Sequence, residues 1–399
     1  MNPILIIGAG MAGFTVAREL RKLDKERPLV ILTSDAGGFY SKPMLSNAFA
    51  QKKEAAQLLT QSAEQMAAQL GATILAATRV TGVDTVAKIV TTETDRIAYD
   101  QLVLAVGAQP IRLSIDGNGA DQVLSVNNIA DYAQFRELVA APKHGASARV
   151  TILGAGLIGC EFADDLAGAG HAVTLIDPAA LPLAALAAPA LSRGLYAALT
   201  ARGVALKLAT TASRIDRSGD ALHVTLADGS AFDTDIILSA VGLRPDLSIA
   251  TAAGLATARG ILVDASGQTS AADVYAVGDC AEYTIDAAGS TRILPYIAPL
   301  MTAARAIART LTGTRTAIDI KDSPVIVKTP SYPIALVPPP QQALATGAWN
   351  DEQIDGRTIC RFYDAGGLLA GFCVAPQDAA IRGSLLAALG SPAPAANPA

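Results

Sequence analysis

Short unbroken apolar runs, each ending at a glycine or an acid, alternate along the chain with stretches of helical periodicity. Ile4–Ile7 (ILII) leads into Gly8-Ala9-Gly10-Met11-Ala12-Gly13 and then the helical pattern of Phe14–Leu23. Val150–Leu153 (VTIL) leads into Gly154-Ala155-Gly156-Leu157-Ile158-Gly159 and then Cys160–Ala169. Aligned on their glycines, 146 residues apart, Ile6 meets Ile152, Ala17 meets Ala163 and Leu20 meets Leu166. The chain therefore carries an internal repeat. An apolar run without polar alternation predicts a strand buried on both faces, as in a parallel sheet. Each repeat continues to a second such run, Leu29–Leu32 (LVIL) and Ala172–Ile176 (AVTLI). Strands alternating with helices in this way predict an α/β fold class with two Rossmann-like halves. A further strand-like run, Asp273–Val277 (DVYAV), stops at Gly278-Asp279.

The pattern changes near Asp322. Val325–Lys328, Ile334–Val337, Arg357–Tyr363 and Leu368–Val374 read as strands, with Gly366-Gly367 turning between the last two. Ala379–Leu389 reads as a helix, which predicts a small α+β C-terminal domain. The Pro/Ala-rich Ser391–Ala399 is expected to be disordered.

Composition narrows the class. At about 100–200 residues per domain, 399 residues predict two to four domains. With 51% hydrophobic and 17% charged residues the chain is not intrinsically disordered, and a net charge of −5 argues against a general nucleic-acid binder. A mean hydropathy of +0.35 raises the question of a membrane. The greasiest stretch, Leu181–Leu191, is too short to span one and holds two prolines, and the N-terminus lacks the basic residues of a signal peptide. The expectation is a protein without membrane insertion, in the cytoplasm. Cys160, Cys280, Cys360 and Cys373 form no closely spaced pair, and His144, His171 and His223 are far apart, so no metal site is expected.

The glycine turns carry the chemistry. The first glycine of each allows the tight turn, the second lets the backbone approach a pyrophosphate, and the third lets helix and strand pack closely. The helix start then offers free N–H groups and a positive dipole end to phosphates. One such turn is weak support for a nucleotide site. Here both copies follow a strand, open a helix and precede an acid. Leu29–Leu32 passes through Thr33-Ser34 to Asp35, 22 residues after Gly13, and the second copy reaches Asp177, 18 residues after Gly159. An acid near that spacing suits a ribose diol. Two dinucleotide sites in one chain suggest a flavin and a nicotinamide. Asp177 repels a 2′-phosphate, and the 15 residues after it hold no Lys or Arg, which favours NADH over NADPH.

The order GAGMAG, Val103–Pro110 (VLAVGAQP), GAGLIGCE, Ala240–Pro245 (AVGLRP) and YAVGDC resembles the pyridine nucleotide-disulfide oxidoreductase superfamily, with its glutathione-reductase-type fold. The resemblance runs through about residues 1–320. It implies a discontinuous FAD-binding domain (1–113 and 240–321), an inserted NADH-binding domain (114–239), a C-terminal domain (322–390) and a tail (391–399). Tyr40-Ser41-Lys42-Pro43-Met44-Leu45-Ser46 and Val327-Lys328-Thr329-Pro330 resemble the branch that reduces rubredoxin, a small iron protein, or flavorubredoxin. That branch implies hydride transfer from NADH to flavin N5, then single electrons to rubredoxin, for example in alkane hydroxylation. A ferredoxin-type reductase, an NADH oxidase and an FAD/NADH-responsive binding module are the alternatives.

The resemblance also assigns residues. Lys42 is placed against the isoalloxazine and Lys328 near N1/O2. Glu161 is placed at the flavin–nicotinamide junction, with Lys42 as its pairing lysine. Asp279, after Gly278, is placed on the ribityl hydroxyls. Val80 and Ile297 are given main-chain contacts, and Gly107 and Gly242 sit in the shared loops. Disulfide reductases of the superfamily carry redox cysteines in the stretch after Lys42. Here no cysteine precedes Cys160, and Asn47 holds the single-cysteine position. Thiol exchange and cysteine-based peroxide reduction are excluded on that ground. Docking of an acidic partner by a net-negative chain calls for a local basic patch, with Lys42, Lys52, Lys53 and Lys328 as its candidates.

Overall fold

The computed structural model describes residues 1–141, 147–284 and 289–393, so His144 and residues 394–399 lie outside the described residues. The chain divides into two units, one comprising Met1–Lys42, Ala56–Gln109 and Leu243–Lys321, the other Pro43–Ala55, Pro110–Gly242 and Asp322–Ala399.

The first unit is built on a parallel five-stranded sheet ordered Val274–Ala276, Gln101–Leu104, Ile4–Ile7, Leu29–Leu32, Thr73–Leu75. Ile6 lies opposite Ile31 on one side and Val103 on the other. Ile4, Leu5 and Ile6 are fully buried, which is why this run shows no polar alternation. The helix Met11–Leu23 contributes Phe14, Val16, Ala17 and Leu20 to the core and packs beside the helix Ile297–Leu311, which contributes Ala303, Ala304 and Ile307. The sheet is completed by Val274–Ala276, so the chain returns to it after passing through the second unit. Glycines and β-branched runs do not encode that return.

In the second unit Ala205–Leu208, Ala172–Asp177, Arg149–Leu153 and Ile236–Ser239 form a four-stranded parallel sheet. A meander, Ala212–Ser218, Ala221–Leu226 and Ala231–Thr234, shares a core with it through Ile215, Val224 and Leu226 against Leu153, Ile176 and Ile237. The C-terminal part adds an antiparallel sheet ordered Val325–Val327, Ile334–Val337, Leu369–Ala375, Arg357–Tyr363, Ala348–Ile354, backed by the helix Ala379–Ala387. The α/β class with a C-terminal α+β part agrees with the sequence expectation.

Three features depart from that expectation or go beyond it. Ala348–Ile354 (AWNDEQI) is a strand the sequence did not announce. It is an almost wholly exposed edge that pairs on one side only, so it shows no apolar alternation and holds a single β-branched residue, Ile354. The tail is ordered further than expected. Ser391 O accepts the Leu369 N–H and Ala393 N–H reaches Gly367 O, so Ser391–Ala393 is tied to the Gly366-Gly367 turn. Pro43–Ala55 packs in the second unit, although it follows directly on Lys42 of the first. No helix among the described residues is long and apolar enough to cross a membrane.

Candidate functional site

Both glycine turns have the geometry that a dinucleotide needs. Gly8 has φ +112°, and a Cβ there would lie 2.2 Å from Ala105 O. Gly154 has φ +103°, and its Cβ would lie 2.8 Å from Ala240 O. Only glycine fits either place. Gly13 and Gly159 are closed in by the carbonyls of Gly8 and Gly154, which brings helix onto strand. The middle glycines differ. A Cβ on Gly10 or Gly156 would meet nothing within 4 Å, so each turn presents bare backbone to open space. Gly10 and Gly156 are also the N-caps of their helices, and neither helix start has a side-chain cap. Open space, bare backbone and uncapped N–H groups together form a cradle suited to a pyrophosphate. Between the glycines of the first turn, Ala9 and Ala12 are buried and Met11 is half-buried.

The acids stand at the ends of the neighbouring strands. Asp35 is exposed and accepts from Thr33 Oγ1 (2.7 Å) and Gly37 N–H (2.9 Å), beside exposed Ser34. Asp177 accepts from Ala155 N–H (2.6 Å) within the second glycine turn and from Ala179 N–H (2.7 Å). Its carboxylate is thereby aimed into the turn that would hold a nucleotide.

The Gly278-Asp279 turn closes on the first glycine turn. A Cβ on Gly278, at φ +79°, would lie 2.9 Å from Ala12 Cβ. Gly278 N–H donates to Tyr283 Oη (2.9 Å), a buried tyrosine that sequence reasoning passed over. Among the described residues the Asp279 side chain has no hydrogen-bond partner. Burial raises its carboxyl pKa, and the charge of Lys42 pulls the other way. A half-buried carboxylate without a donor suits a hydroxyl-bearing ligand. Ile297 opens its helix with 49% of its surface exposed, after an N-cap, Tyr296, that makes no side-chain bond. Val80 is buried and pairs with Thr92, while Gly107 and Gly242 take positive φ in their loops. In the second unit, Asn47 Oδ1 is buried and has no hydrogen-bond partner among the described residues.

A cluster of charged and polar groups in the second unit surrounds Glu161, 2% exposed on the helix Leu157–Gly168. It accepts from Ser46 Oγ, from Lys328 N–H (2.8 Å) and from Lys328 Nζ. Lys328 therefore pairs with Glu161, where the sequence argument pointed to Lys42. Lys328 lies just past the edge strand Val325–Val327, and both its N–H and its side chain reach the carboxylate. With its charge matched by Glu161, Lys328 adds no net charge to a basic patch. Sequence reasoning also missed Ser46, Asp164 and Asp165. The signal was available, because acids inside the otherwise apolar helix LIGCEFADDLAG must be buried and therefore partnered.

All four cysteines are free and buried. Burial pushes the Cys280 thiol up to about 11 and raises Cys160 further, so neither supplies a thiolate near neutral pH. Cys360 and Cys373 lie opposite each other on neighbouring strands, and Cys373 Sγ accepts Ala188 N–H (3.3 Å).

Comparison with known proteins places these features in context. The profile of the pyridine nucleotide-disulphide oxidoreductases matches residues 2–308, and that of the rubredoxin binding C-terminal domain matches residues 317–389. The chain is 41% identical over 376 residues to the rubredoxin-NAD(+) reductase of Alcanivorax borkumensis, covering 94% of this chain and 95% of that one. It is 41% identical over 334 residues to the nitric oxide reductase FlRd-NAD(+) reductase of Aeromonas salmonicida, covering 84% and 83%. The crystal structure of a ferredoxin reductase from Rhodopseudomonas palustris superposes with a TM-score of 0.85 at 25% identity, covering 94% and 91%. With two glycine-turn sheets in this order and a family match through most of its length, the chain belongs to the pyridine nucleotide-disulphide oxidoreductase family.

Proposed function

We propose that the chain is an FAD-dependent NADH:rubredoxin oxidoreductase. The observation that carries this reading is the C-terminal sheet. Residues 317–389 match a rubredoxin binding domain, and the same stretch delivers Lys328 to the buried Glu161 of the nucleotide-binding helix. The balanced reaction consumes one NADH and two oxidised rubredoxins and yields NAD⁺, two reduced rubredoxins and one proton.

FAD, when bound, supplies the exchange between a two-electron donor and a one-electron acceptor. This chain's residues supply binding, orientation and charge. Gly8, Gly10 and Gly13 with Asp35 would hold the flavin dinucleotide, and Asp279 its ribityl chain. Lys42 would place positive charge where the reduced ring gathers negative charge, while the charge of Lys328 is already matched by Glu161. Gly154, Gly156 and Gly159 would hold the NADH pyrophosphate, and Asp177 its adenosine ribose. Glu161 is the buried acid of the nicotinamide side. Four buried free thiols suit the reducing cytoplasm, where NADH is the available donor.

Steady-state turnover tests the acceptor. NADH consumption coupled to rubredoxin bleaching, with a plant-type ferredoxin inert, is the expected result. The likeness to the Aeromonas salmonicida protein favours a second reading, in which the acceptor is the rubredoxin-like part of a larger flavoprotein. A higher kcat/KM with flavorubredoxin than with free rubredoxin would select it.

Coenzyme choice gives a separate prediction. Asp177→Ala removes the ribose acceptor and the charge that excludes a 2′-phosphate. Loss of one charged hydrogen bond, about 1–3 kcal/mol, predicts a KM for NADH raised about tenfold or more. The KM for NADPH is expected to stay level or fall. Parallel titrations with both coenzymes check this, and an unchanged ratio would remove Asp177 from the site.

A further inference from the structure

The helix Leu157–Gly168 buries three carboxylates within five residues: Glu161, Asp164 and Asp165, each no more than 2% exposed. Two of them have a cation in contact. Glu161 has Lys328, and Asp164 has Arg202 Nε at 3.0 Å. Asp164 also accepts Ser331 N–H (2.9 Å), which ties the loop after Lys328 to the same helix. Asp165 differs. Among the described residues it has no ion-pair partner, and its oxygens accept the backbone N–H groups of Phe49 (2.7 Å) and Ala50 (3.1 Å).

Burial raises the carboxyl pKa of Asp165 and the neighbouring Asp164 adds to this, while the Ala50 and Phe49 N–H donors and the charge of Arg136 oppose it. A buried charge without a cation is a net cost to folding, so stability gives no reason to keep it. What the charge provides is a strong two-point grip on backbone from 116 and 115 positions away. The rest of the stretch is fastened too. The Phe49 ring meets Tyr132 and Phe135 edge-on, both at 5.5 Å, and Arg136 lies over it at 5.1 Å. Tyr132 Oη donates to Lys53 O (3.0 Å), and Arg136 pairs with Glu54 (2.8 Å). At the other end of the stretch, Ser46 donates to Glu161.

We propose that Asp165 is a positioning residue: by holding the Phe49–Ala50 backbone it fixes the turn that keeps Ser46 on Glu161. Its bearing on turnover rests on the role given to Glu161 under the proposed function. The chain gains a carboxylate of fixed orientation, with Ser46 Oγ and Lys328 Nζ on one oxygen and the Lys328 N–H on the other, at the expense of burying a third acid.

Asp165→Asn in the full-length holoprotein tests this. Asparagine has one acceptor oxygen and no charge, so the two-point grip is lost while the volume stays. Amide exchange read by mass spectrometry is expected to speed up about tenfold or more in peptides covering 46–52. Exchange in the helices Leu157–Gly168 and Ile129–Ala140 stays unchanged, and the melting temperature holds or rises. In turnover with NADH and rubredoxin, kcat falls about tenfold while the KM for NADH is preserved. Ser46→Ala reproduces the kcat loss without faster exchange, and the double variant loses no more than either single one.

Unchanged exchange at 46–52 would overturn the proposal. So would a fall in melting temperature with loosening of all three peptides, which marks a general structural role. An unchanged kcat in Ser46→Ala would break the link to Glu161. The exchange result is read without rubredoxin. If the wild-type protein failed to reduce rubredoxin, the proposed function would fall while the grip of Asp165 on 46–52 could still be judged.

Discussion

Gly8→Val is expected to give protein without bound flavin, and Gly154→Val protein that keeps its flavin and no longer accepts reducing equivalents from NADH. The two turns are built alike, so the contrast comes from which unit each one serves. At both places φ exceeds +100°, a region that a β-branched side chain hardly enters. Each added Cβ would also strike a backbone carbonyl, Ala105 O or Ala240 O, which no rotamer change relieves. Backbone strain and overpacking together predict a cost of about 3–5 kcal/mol, concentrated in one turn. Flavin-to-protein ratio from the visible spectrum, followed by anaerobic NADH titration, separates the outcomes. Loss of flavin from both variants would mean that the second turn does not serve the nicotinamide alone.

Glu161→Ala carries the other large expected effect. The substitution strands Ser46 Oγ and the Lys328 N–H, and leaves the Lys328 side chain, 27% exposed, without its counter-charge. A buried pair broken on one side costs about 3–5 kcal/mol, and the partial exposure of Lys328 discounts this to about 2–3 kcal/mol. The denaturation midpoint should fall accordingly, and rubredoxin-dependent turnover about a hundredfold. Glu161→Gln keeps the shape and accepts from one donor, so it should recover most of the stability and little of the turnover. Full turnover in Glu161→Gln would show that the charge is not needed there.

The parts of this protein that the sequence made legible are those governed by short-range rules. Ile4–Ile7 and Val150–Leu153 announce buried parallel strands because both faces are apolar. The glycines after them announce tight turns because no other residue fits. The place of Asp177 beside the second glycine turn follows from its spacing. Contacts made by backbone groups over long separations leave no such mark. Nothing in Phe49 or Ala50 shows that their N–H groups meet a side chain more than a hundred residues away, so the sequence alone keeps the stretch after Lys42 with the residues it follows. The choice of Lys328 over Lys42 as partner of Glu161 depends on the placement of an edge strand, which the sequence leaves free. The acidic cluster of Glu161, Asp164 and Asp165 was readable in principle, since a helix apolar all round is a buried one.

The central claim is that electrons enter this chain from NADH and leave it to rubredoxin. It is tested most directly by rapid mixing without oxygen. The purified yellow protein is reduced with NADH, and in parallel with NADPH, then mixed with oxidised rubredoxin or with a plant-type ferredoxin. Fast flavin bleaching by NADH, slower bleaching by NADPH and fast reduction of rubredoxin with ferredoxin left behind are the predicted results. Reduced protein that ignores rubredoxin while passing electrons quickly to ferredoxin or to oxygen would contradict the claim, leaving the fold and the family intact and the acceptor wrong.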